Sequence, residues 1–239
     1  MSLLTVVRHG QASFLSENYD RLSNLGERQS RLLGQWWARR GVRFDCVYTG
    51  PAERHRRTAE LAAEEVRAAG LPWPETEVVP DLDEFPADDV AREFLPMLAA
   101  RNPVLAQWLD DFHNGGDYDT RRRAADRLLH AVAGAWVRGE VSSPRVRSWA
   151  DFCGGVEAAL RHVTAGAPKS SHVALFTSGG PTAAIVRVAL GLSYEATLEL
   201  TWSPRNGSFS EFLFTAGRFS LSTFNATPHL PDPELLTYR

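Results

Sequence analysis

Short apolar runs alternate with helical stripes along the first third of the chain. Residues 3–7 and 44–48 are apolar runs that predict buried strands, and 76–79 is a third candidate. Between them, 25–40 and 53–69 carry apolar residues at helical spacing. This alternation of strands and helices is typical of an α/β domain with a largely parallel sheet.

Residues 85–150 show helical spacing with no strand signal, which predicts a helical insertion over the core at about 85–150. Beyond it, a strand at 172–176 lies between two helical segments, and two further strands form a hairpin around Ala216-Gly217. We therefore predict a single domain over residues 1–239. Its fold class is α/β, a three-layer α/β/α sandwich with a mostly parallel sheet. The remaining predicted elements are helices at 88–101, 103–112, 120–137, 150–164 and up to about 190, and strands at 208–214 and 219–224.

Composition narrows the function classes. The chain has 239 residues, 44% of them hydrophobic, and a net charge of -3, which disfavours disorder and a nucleic-acid partner. It contains no apolar run of the roughly 20 residues that a membrane helix needs, and its first residues do not form a secretory signal. We expect a cytoplasmic protein with no membrane partner. Because Lys169 is the only lysine, an anion site must use arginine, histidine or backbone N–H groups.

Polar motifs follow three of the predicted strands. The first strand is followed by Arg8-His9-Gly10, the second by a turn and Arg54, and a later one by Thr177-Ser178-Gly179-Gly180. Ligands of parallel sheets bind at the carboxyl ends of the strands, where helix N-termini also attract anions. The pattern indicates a phosphate pocket. The glycine patterns of the common nucleotide-binding folds are absent.

The same residues resemble a known family, the histidine phosphatase superfamily of phosphoglycerate-mutase-like proteins. The resemblance runs over nearly the whole chain, because the motifs occur in the family's order. They are Arg8-His9-Gly10, Leu22-Ser23-x-x-Gly26-x-x-Gln29, Arg54-x-x-x-Thr58-Ala59, Leu82-Asp83-Glu84, Asn206-Gly207-Ser208 and Asn225-x-x-x-His229-Leu230.

The resemblance implies a phosphohistidine mechanism. His9 is then the nucleophile that carries the phosphoryl group, and Arg8 and Arg54 bind its oxygens. Glu84 is the expected general acid, with the nearby Asp83 and Asp81 as rivals. The resemblance implies neither a metal nor a cofactor, because the arginines neutralise the phosphate charge.

The chain departs from the family where a second histidine normally follows the later strand. Ser178 stands there, so we expect Ser178 and Gly179 to bind phosphate with one fewer charged donor. His55, beside Arg54, is the first candidate for a compensating imidazole, and His229 is the second. Ser13 is a further candidate donor, in a loop (residues 11–15) that differs from the family's. We expect this loop and the helical insertion to shape substrate choice.

These observations predict a metal-independent phosphohydrolase that acts on a small phosphate monoester. Activity is expected to be reduced by the loss of the second histidine. Three alternatives stay open: a phosphate-binding or regulatory protein with impaired catalysis, phosphotransfer of the phosphoglycerate-mutase type, and a protein-phosphohistidine phosphatase. The expected partner is a small phosphorylated substrate. An exposed sheet edge at the C-terminal hairpin also predicts a possible homodimer.

Overall fold

The computed structural model describes residues 1–13 and 20–238, and its sheet has six strands. Their order is β3-β2-β4-β1-β5-β6. Strands β1 to β4 are parallel to one another. Strand β5 runs antiparallel to β1 and pairs with β6 as the predicted antiparallel hairpin. The strands are β1 (Ser2–Arg8), β2 (Cys46–Thr49), β3 (Thr76–Val78), β4 (His172–Thr177), β5 (Phe209–Thr215) and β6 (Arg218–Ala226).

Eight α-helices occur in the described part of the chain. Seven of them match predicted helices to within a few residues at each end. They are α1 (Asn24–Arg39), α2 (Glu53–Ala68), α3 (Ala87–Ala99), α4 (Pro103–Asn114), α5 (Tyr118–Val137), α6 (Trp149–Ala165), α7 (Gly179–Leu190) and α8 (Tyr194–Thr201), with short 3-10 turns at Pro80–Leu82 and Pro233–Leu235.

The helices cover both faces of the sheet, so the predicted three-layer α/β/α sandwich is confirmed. Successive residues of β1 point to opposite faces, as strand geometry requires. Val6 belongs to the core cluster that includes α6 and α7, whereas Val7 belongs to the cluster that includes α1 and α2. Both side chains are fully buried.

Residues 85–150 contain three consecutive helices, α3 to α5, and their described residues include no regular strand. Ala99, Leu105 and Leu128 form a small cluster of their own. Val132 and Trp136, further along α5, join the main core. Val90 and Phe94 of α3 belong to the main core as well, so this segment packs onto the sheet domain through α3 and the second half of α5.

The sheet register brings the three motif-bearing strand ends to one edge. Arg8 pairs with Thr177, and Thr49 pairs with Phe176. The residues that follow β1, β2 and β4 therefore lie side by side. At the far edge of the described sheet, β6 has no partner strand beyond it, so pairing of two chains there stays a prediction.

Within residues 1–13 and 20–238, no helix combines the length and the apolar character that crossing a bilayer requires.

Candidate active site

His9 lies in the turn that leaves β1, and backbone hydrogen bonds fix this turn on several sides. The N–H of His9 donates to the carbonyl of Thr177 at 2.9 Å, and the N–H of Gly207 donates to the carbonyl of His9 at 3.0 Å. The N–H of Gly10 donates to the hydroxyl of Thr58 at 3.1 Å. Three distant parts of the chain therefore hold the His9 backbone in place.

The ring of His9 has a defined tautomer. Its Nδ1 lies 2.7 Å from the carbonyl oxygen of Gly10. Because a carbonyl only accepts, Nδ1 carries the proton and Nε2 keeps its lone pair. Burial lowers the pKa of His9 well below its usual value, and the charges of Arg54 and Arg8 lower it further. His9 is therefore a neutral imidazole with a nucleophilic Nε2.

Gly10 allows the turn to approach the start of α1. A Cβ on Gly10 would lie 2.4 Å from the carbonyl oxygen of Gly26, and a Cβ on Gly26 would lie 2.1 Å from that of Gln11. Real Cβ atoms do not come so close to backbone, so neither position accepts a side chain without movement. The two glycines of the matching motifs therefore pack the His9 turn against α1.

Arg54 lies in the first turn of α2 and contacts two other segments. Its Nη1 donates to Oδ1 of Asp20 at 2.7 Å, and its Nη2 donates to the hydroxyl of Ser178 at 3.4 Å. Asp20 also accepts the N–H of Glu53 at 2.8 Å, which caps α2 because Ala52 has no capping side chain. Sequence reasoning missed Asp20, because the contact spans more than thirty residues and no local signal marks it.

Arg8, Gly179 and Glu84 lie next to one another. The Arg8 guanidinium donates to the carbonyl of Pro204. A Cβ on Gly179 would lie 3.9 Å both from Nε of Arg8 and from Oε2 of Glu84. The first residue of α7 therefore faces a cation and a carboxyl group together.

The carboxyl of Glu84 is held at the start of α7. Its oxygens accept the N–H of Gly180 at 3.1 and 3.2 Å, and Oε1 also accepts the N–H of Phe85 at 3.0 Å. Burial raises the pKa of Glu84, against these hydrogen bonds and the charges of Arg54 and Arg8, which lower it. A carboxyl group with a raised pKa is suited to proton transfer near neutral pH.

The two rival carboxyl groups lie outside this cluster. Asp83 is exposed and accepts the N–H of Glu84 at 2.8 Å. Asp81 is exposed as well, and its Oδ1 lies 3.8 Å from Nη1 of Arg147. Of the three acidic side chains in this motif, the structure brings Glu84 to the arginines.

His55 and Ser178 are both fully buried beside His9. Nε2 of His55 lies 2.6 Å from Oγ of Ser178, and the ring centroids of His55 and His9 are 5.6 Å apart. Burial, and then the charge of Arg54, lower the pKa of His55 well below its usual value. His55 is therefore a second neutral imidazole at the site.

The other two candidate donors are His229 and Ser13. His229 is buried with its ring stacked on Phe209 at 6.1 Å, and burial lowers its pKa to about 4. The backbone N–H of Ser13 donates to the carbonyl of Arg21 at 2.8 Å. Phe14 and Leu15, in the loop proposed to shape substrate choice, lie outside the described residues.

The cluster thus combines two guanidinium groups, a neutral imidazole with a free lone pair, a carboxyl with a raised pKa and the start of a helix. Such a set can bind a phosphoryl group, attack it and protonate its leaving group. Over residues 1–13 and 20–238, the His, Cys, Asp and Glu side chains form no group of three that could hold a metal ion.

Comparison with protein families gives one match. The model of the histidine phosphatase superfamily (branch 1) matches residues 4–134 and 109–227. A comparison with curated protein sequences gives no match.

Solved structures with the same fold include three enzymes. Phosphoglycerate mutase from Bacillus anthracis str. Sterne is 15% identical, with a TM-score of 0.64, over 96% of this chain and 95% of that one. Phosphoserine phosphatase from Entamoeba histolytica, in complex with 3-phosphoglyceric acid, is 18% identical, with a TM-score of 0.62, over 96% and 100%. A mycobacterial glucosyl-3-phosphoglycerate phosphatase is 18% identical, with a TM-score of 0.63, over 95% and 100%. At these identities the likeness concerns the fold.

Proposed function

Because this chain belongs to the histidine phosphatase superfamily (branch 1), we propose that it is a metal-independent phosphohydrolase acting on a small phosphate monoester. The observation that carries the proposal is the convergence of His9, Arg54 and Glu84 at one edge of the sheet. Arg54 and Arg8 lower the pKa of His9 and oppose the rise in that of Glu84, so both charges act on the nucleophile and on the acid.

In the first step, Nε2 of His9 attacks phosphorus and the bond from phosphorus to the ester oxygen breaks. Protonated Glu84 gives its proton to the departing oxygen, so an alcohol leaves. Arg8, Arg54 and the free N–H of Gly179 at the start of α7 bind the non-bridging oxygens. The Nδ1–H of His9, held by the carbonyl of Gly10, keeps the ring oriented during attack.

In the second step, water attacks the phosphorus of the phosphohistidine and the bond from Nε2 to phosphorus breaks. The carboxylate of Glu84 accepts the proton of this water, which restores the acid. Inorganic phosphate leaves, and His9 returns to the neutral form that its buried position favours. Atoms and charges balance over the two steps without a metal or a cofactor.

Two observations favour other functions. Ser178 brings no charge to a position where the family normally has a histidine, which favours a phosphate-binding or regulatory protein with impaired catalysis. The likeness to a phosphoglycerate mutase favours phosphotransfer back to substrate. The two phosphatases of the same fold support hydrolysis of a phosphate ester.

The test is a panel of phosphate monoesters with the wild type and His9→Ala. We expect turnover in the wild type, its loss in His9→Ala, no effect of EDTA, and an acid-labile phosphoenzyme on rapid quenching. His162→Ala is the control, because His162 is exposed and pairs with Glu77 away from the site. Binding of inorganic phosphate without turnover would favour the binding protein. Phosphoryl exchange between phosphoglycerates would favour the mutase.

A further inference from the structure

His55 and Ser178 form a buried pair in which one hydrogen has no acceptor among the described residues. Oγ of Ser178 lies 2.6 Å from Nε2 of His55 and also accepts from Nη2 of Arg54 at 3.4 Å. Nδ1 of His55 is buried and makes no hydrogen bond to any residue of the described part of the chain. The position of the proton on the His55 ring therefore decides which hydrogen of the pair has no acceptor.

The two possible tautomers of His55 leave different hydrogens unpaired. If Nε2–H donates to Ser178, both lone pairs of Oγ are filled and the hydroxyl hydrogen points elsewhere. If the hydroxyl donates to Nε2 instead, Nδ1–H stays buried without an acceptor. Each arrangement leaves one hydrogen unpaired, but a hydroxyl hydrogen can rotate towards a bound anion, whereas an N–H at the buried Nδ1 has a fixed direction. The first arrangement is therefore favoured.

In that arrangement the hydroxyl hydrogen of Ser178 has no acceptor among residues 1–13 and 20–238. Ser178 lies at the N-cap of α7 and shares Arg54 with the phosphate pocket. An oxyanion bound by Arg54 at the start of α7 lies within reach of this hydroxyl. The unpaired hydrogen and the expected phosphoryl oxygen thus complement each other.

We propose that Ser178 donates its hydroxyl hydrogen to the phosphoryl group, and that His55 is the positioning residue that fixes the direction of this hydroxyl. The proposal rests on the proposed function and deepens it. The pair supplies one preorganised donor without a formal charge, so the positive charge of the pocket comes from Arg8 and Arg54. A donor of this kind acts mainly on the transition state, where the oxygens carry the most charge.

Three variants test the proposal with p-nitrophenyl phosphate. We expect Ser178→Ala to lower kcat by about 10²-fold, the lower end of the usual effect of one oxyanion donor, with KM changed less than about threefold. His55→Leu is expected to lower kcat similarly. His55→Gln is expected to restore most of the loss, because its amide N–H can donate to Ser178 as Nε2–H does.

A double variant shows whether His55 acts through Ser178 or contributes to activity independently of it. If His55 acts through Ser178, Ser178→Ala/His55→Leu loses no more activity than Ser178→Ala alone. Losses that multiply would overturn the positioning role. Activity of both single variants within twofold of the wild type would overturn the whole proposal.

The chain contains a matched control pair at the other end of the sheet. Nε2 of His172 lies 2.8 Å from the hydroxyl of Thr5, another contact between a histidine and a hydroxyl group. His172→Gln is expected to leave kcat within twofold of the wild type. A general loss of folding would instead lower activity in both sets of variants together with the melting temperature.

Binding of inorganic phosphate, measured by calorimetry, separates this proposal from the proposed function. We expect Ser178→Ala to weaken binding about two- to threefold, in line with the small expected change in KM. If the wild type binds phosphate but hydrolyses no ester, the proposed function fails while weaker binding in Ser178→Ala still supports the donor. If Ser178→Ala left both the phosphate affinity and kcat unchanged, Ser178 would not be a donor to the phosphoryl group.

Discussion

Single residues of the site were predictable where the chemistry lies in a short motif. His9, Arg54 and Glu84 each stand in a pattern of three to six residues, and the structure brings them together. Asp20 and the contact of Gly180 with Glu84 were not predicted, because these contacts span 34 and 96 residues. The local sequence shows which chemical groups are present, whereas the tertiary fold determines which of them come into contact.

The role of Glu84 is testable through the leaving group. Glu84→Gln keeps an oxygen for the N–H of Gly180 but has no proton to give, so we expect kcat for alkyl phosphates to fall by about 10²–10⁴-fold. The loss for p-nitrophenyl phosphate is expected to be less than about tenfold, because nitrophenolate leaves without protonation. Steady-state kinetics with both substrates measures the difference.

Asp83→Asn is the matched control for Glu84→Gln, because Asp83 is the exposed neighbour in the same motif. We expect its kinetics to match the wild type. Because the pKa of Glu84 is raised, the first step slows on the alkaline side when the pH rises above that pKa and the acid loses its proton. Equal losses for alkyl and aryl substrates would contradict the general-acid role.

At the scale of elements, periodicity found the helices and strands but not every boundary. The predicted strand at 44–48 begins at Cys46 in the structure. Helix α8 (Tyr194–Thr201) was missed, although Ser193 caps it by accepting the N–H of Ala196. Eight residues are too few for a clear helical stripe, and packing against α7 and α5 accounts for a helix whose local signal is weak.

The start of α2 shows how one element depends on another. Asp20→Ala removes the carboxylate that caps α2 and pairs with Arg54. We expect a loss of about 0.5–2 kcal/mol in the free energy of unfolding, the usual cost of a lost cap. We also expect weaker binding of inorganic phosphate, because Arg54 loses one of the contacts that orient it. Urea unfolding and calorimetry measure the two effects.

Asp20→Asn separates the two roles of this side chain. The amide oxygen can still accept the N–H of Glu53, so we expect stability within about 0.5 kcal/mol of the wild type. The charge that pairs with Arg54 is gone, so phosphate affinity is expected to change as in Asp20→Ala. If phosphate affinity stays at the wild-type value in both variants, Asp20 only caps the helix.

At the scale of the whole molecule, the order of strands was beyond the sequence argument. The alternation of strands and helices predicted parallel strands and a common edge for their ends. It did not say that β4 would insert between β1 and β2, although β4 follows them by more than a hundred residues. That insertion places Ser178 between the turn of His9 and the helix of Arg54.

Burial of histidines gives the whole molecule a pH dependence of stability. Burial lowers the pKa of four histidines: that of His172 and of His229 to about 4, and those of His9 and His55 well below the usual value. In the unfolded chain their pKa is about 6.5. Between these values the unfolded state binds more protons, so the folded state loses stability as the pH falls.

We therefore expect the free energy of unfolding to be largest above about pH 7 and to decline as the pH falls towards about 4. Each such histidine contributes up to about 1.4 kcal/mol per pH unit within its window. The raised pKa of Glu84 has the opposite effect on stability, because at that group the folded state binds more protons than the unfolded state. It involves one proton, whereas the histidines involve four. Carboxylates whose pKa is lowered in the folded state, such as Glu140, reduce the free energy of unfolding only when the pH falls to about 4.5 and below. Urea unfolding at half-unit pH steps measures the slope.

His172→Gln removes one of the four histidines that take up a proton more readily in the unfolded chain. The glutamine does not titrate, so the slope between pH 6.5 and about 4 is expected to decrease by up to about 1.4 kcal/mol per pH unit. Because His172 lies at the opposite end of β4 from Ser178, hydrolytic activity is expected to stay at the wild-type level while the slope changes. A free energy of unfolding that is constant from pH 7 to pH 5 would show that these imidazoles take up protons without unfolding, and that their burial does not control acid stability.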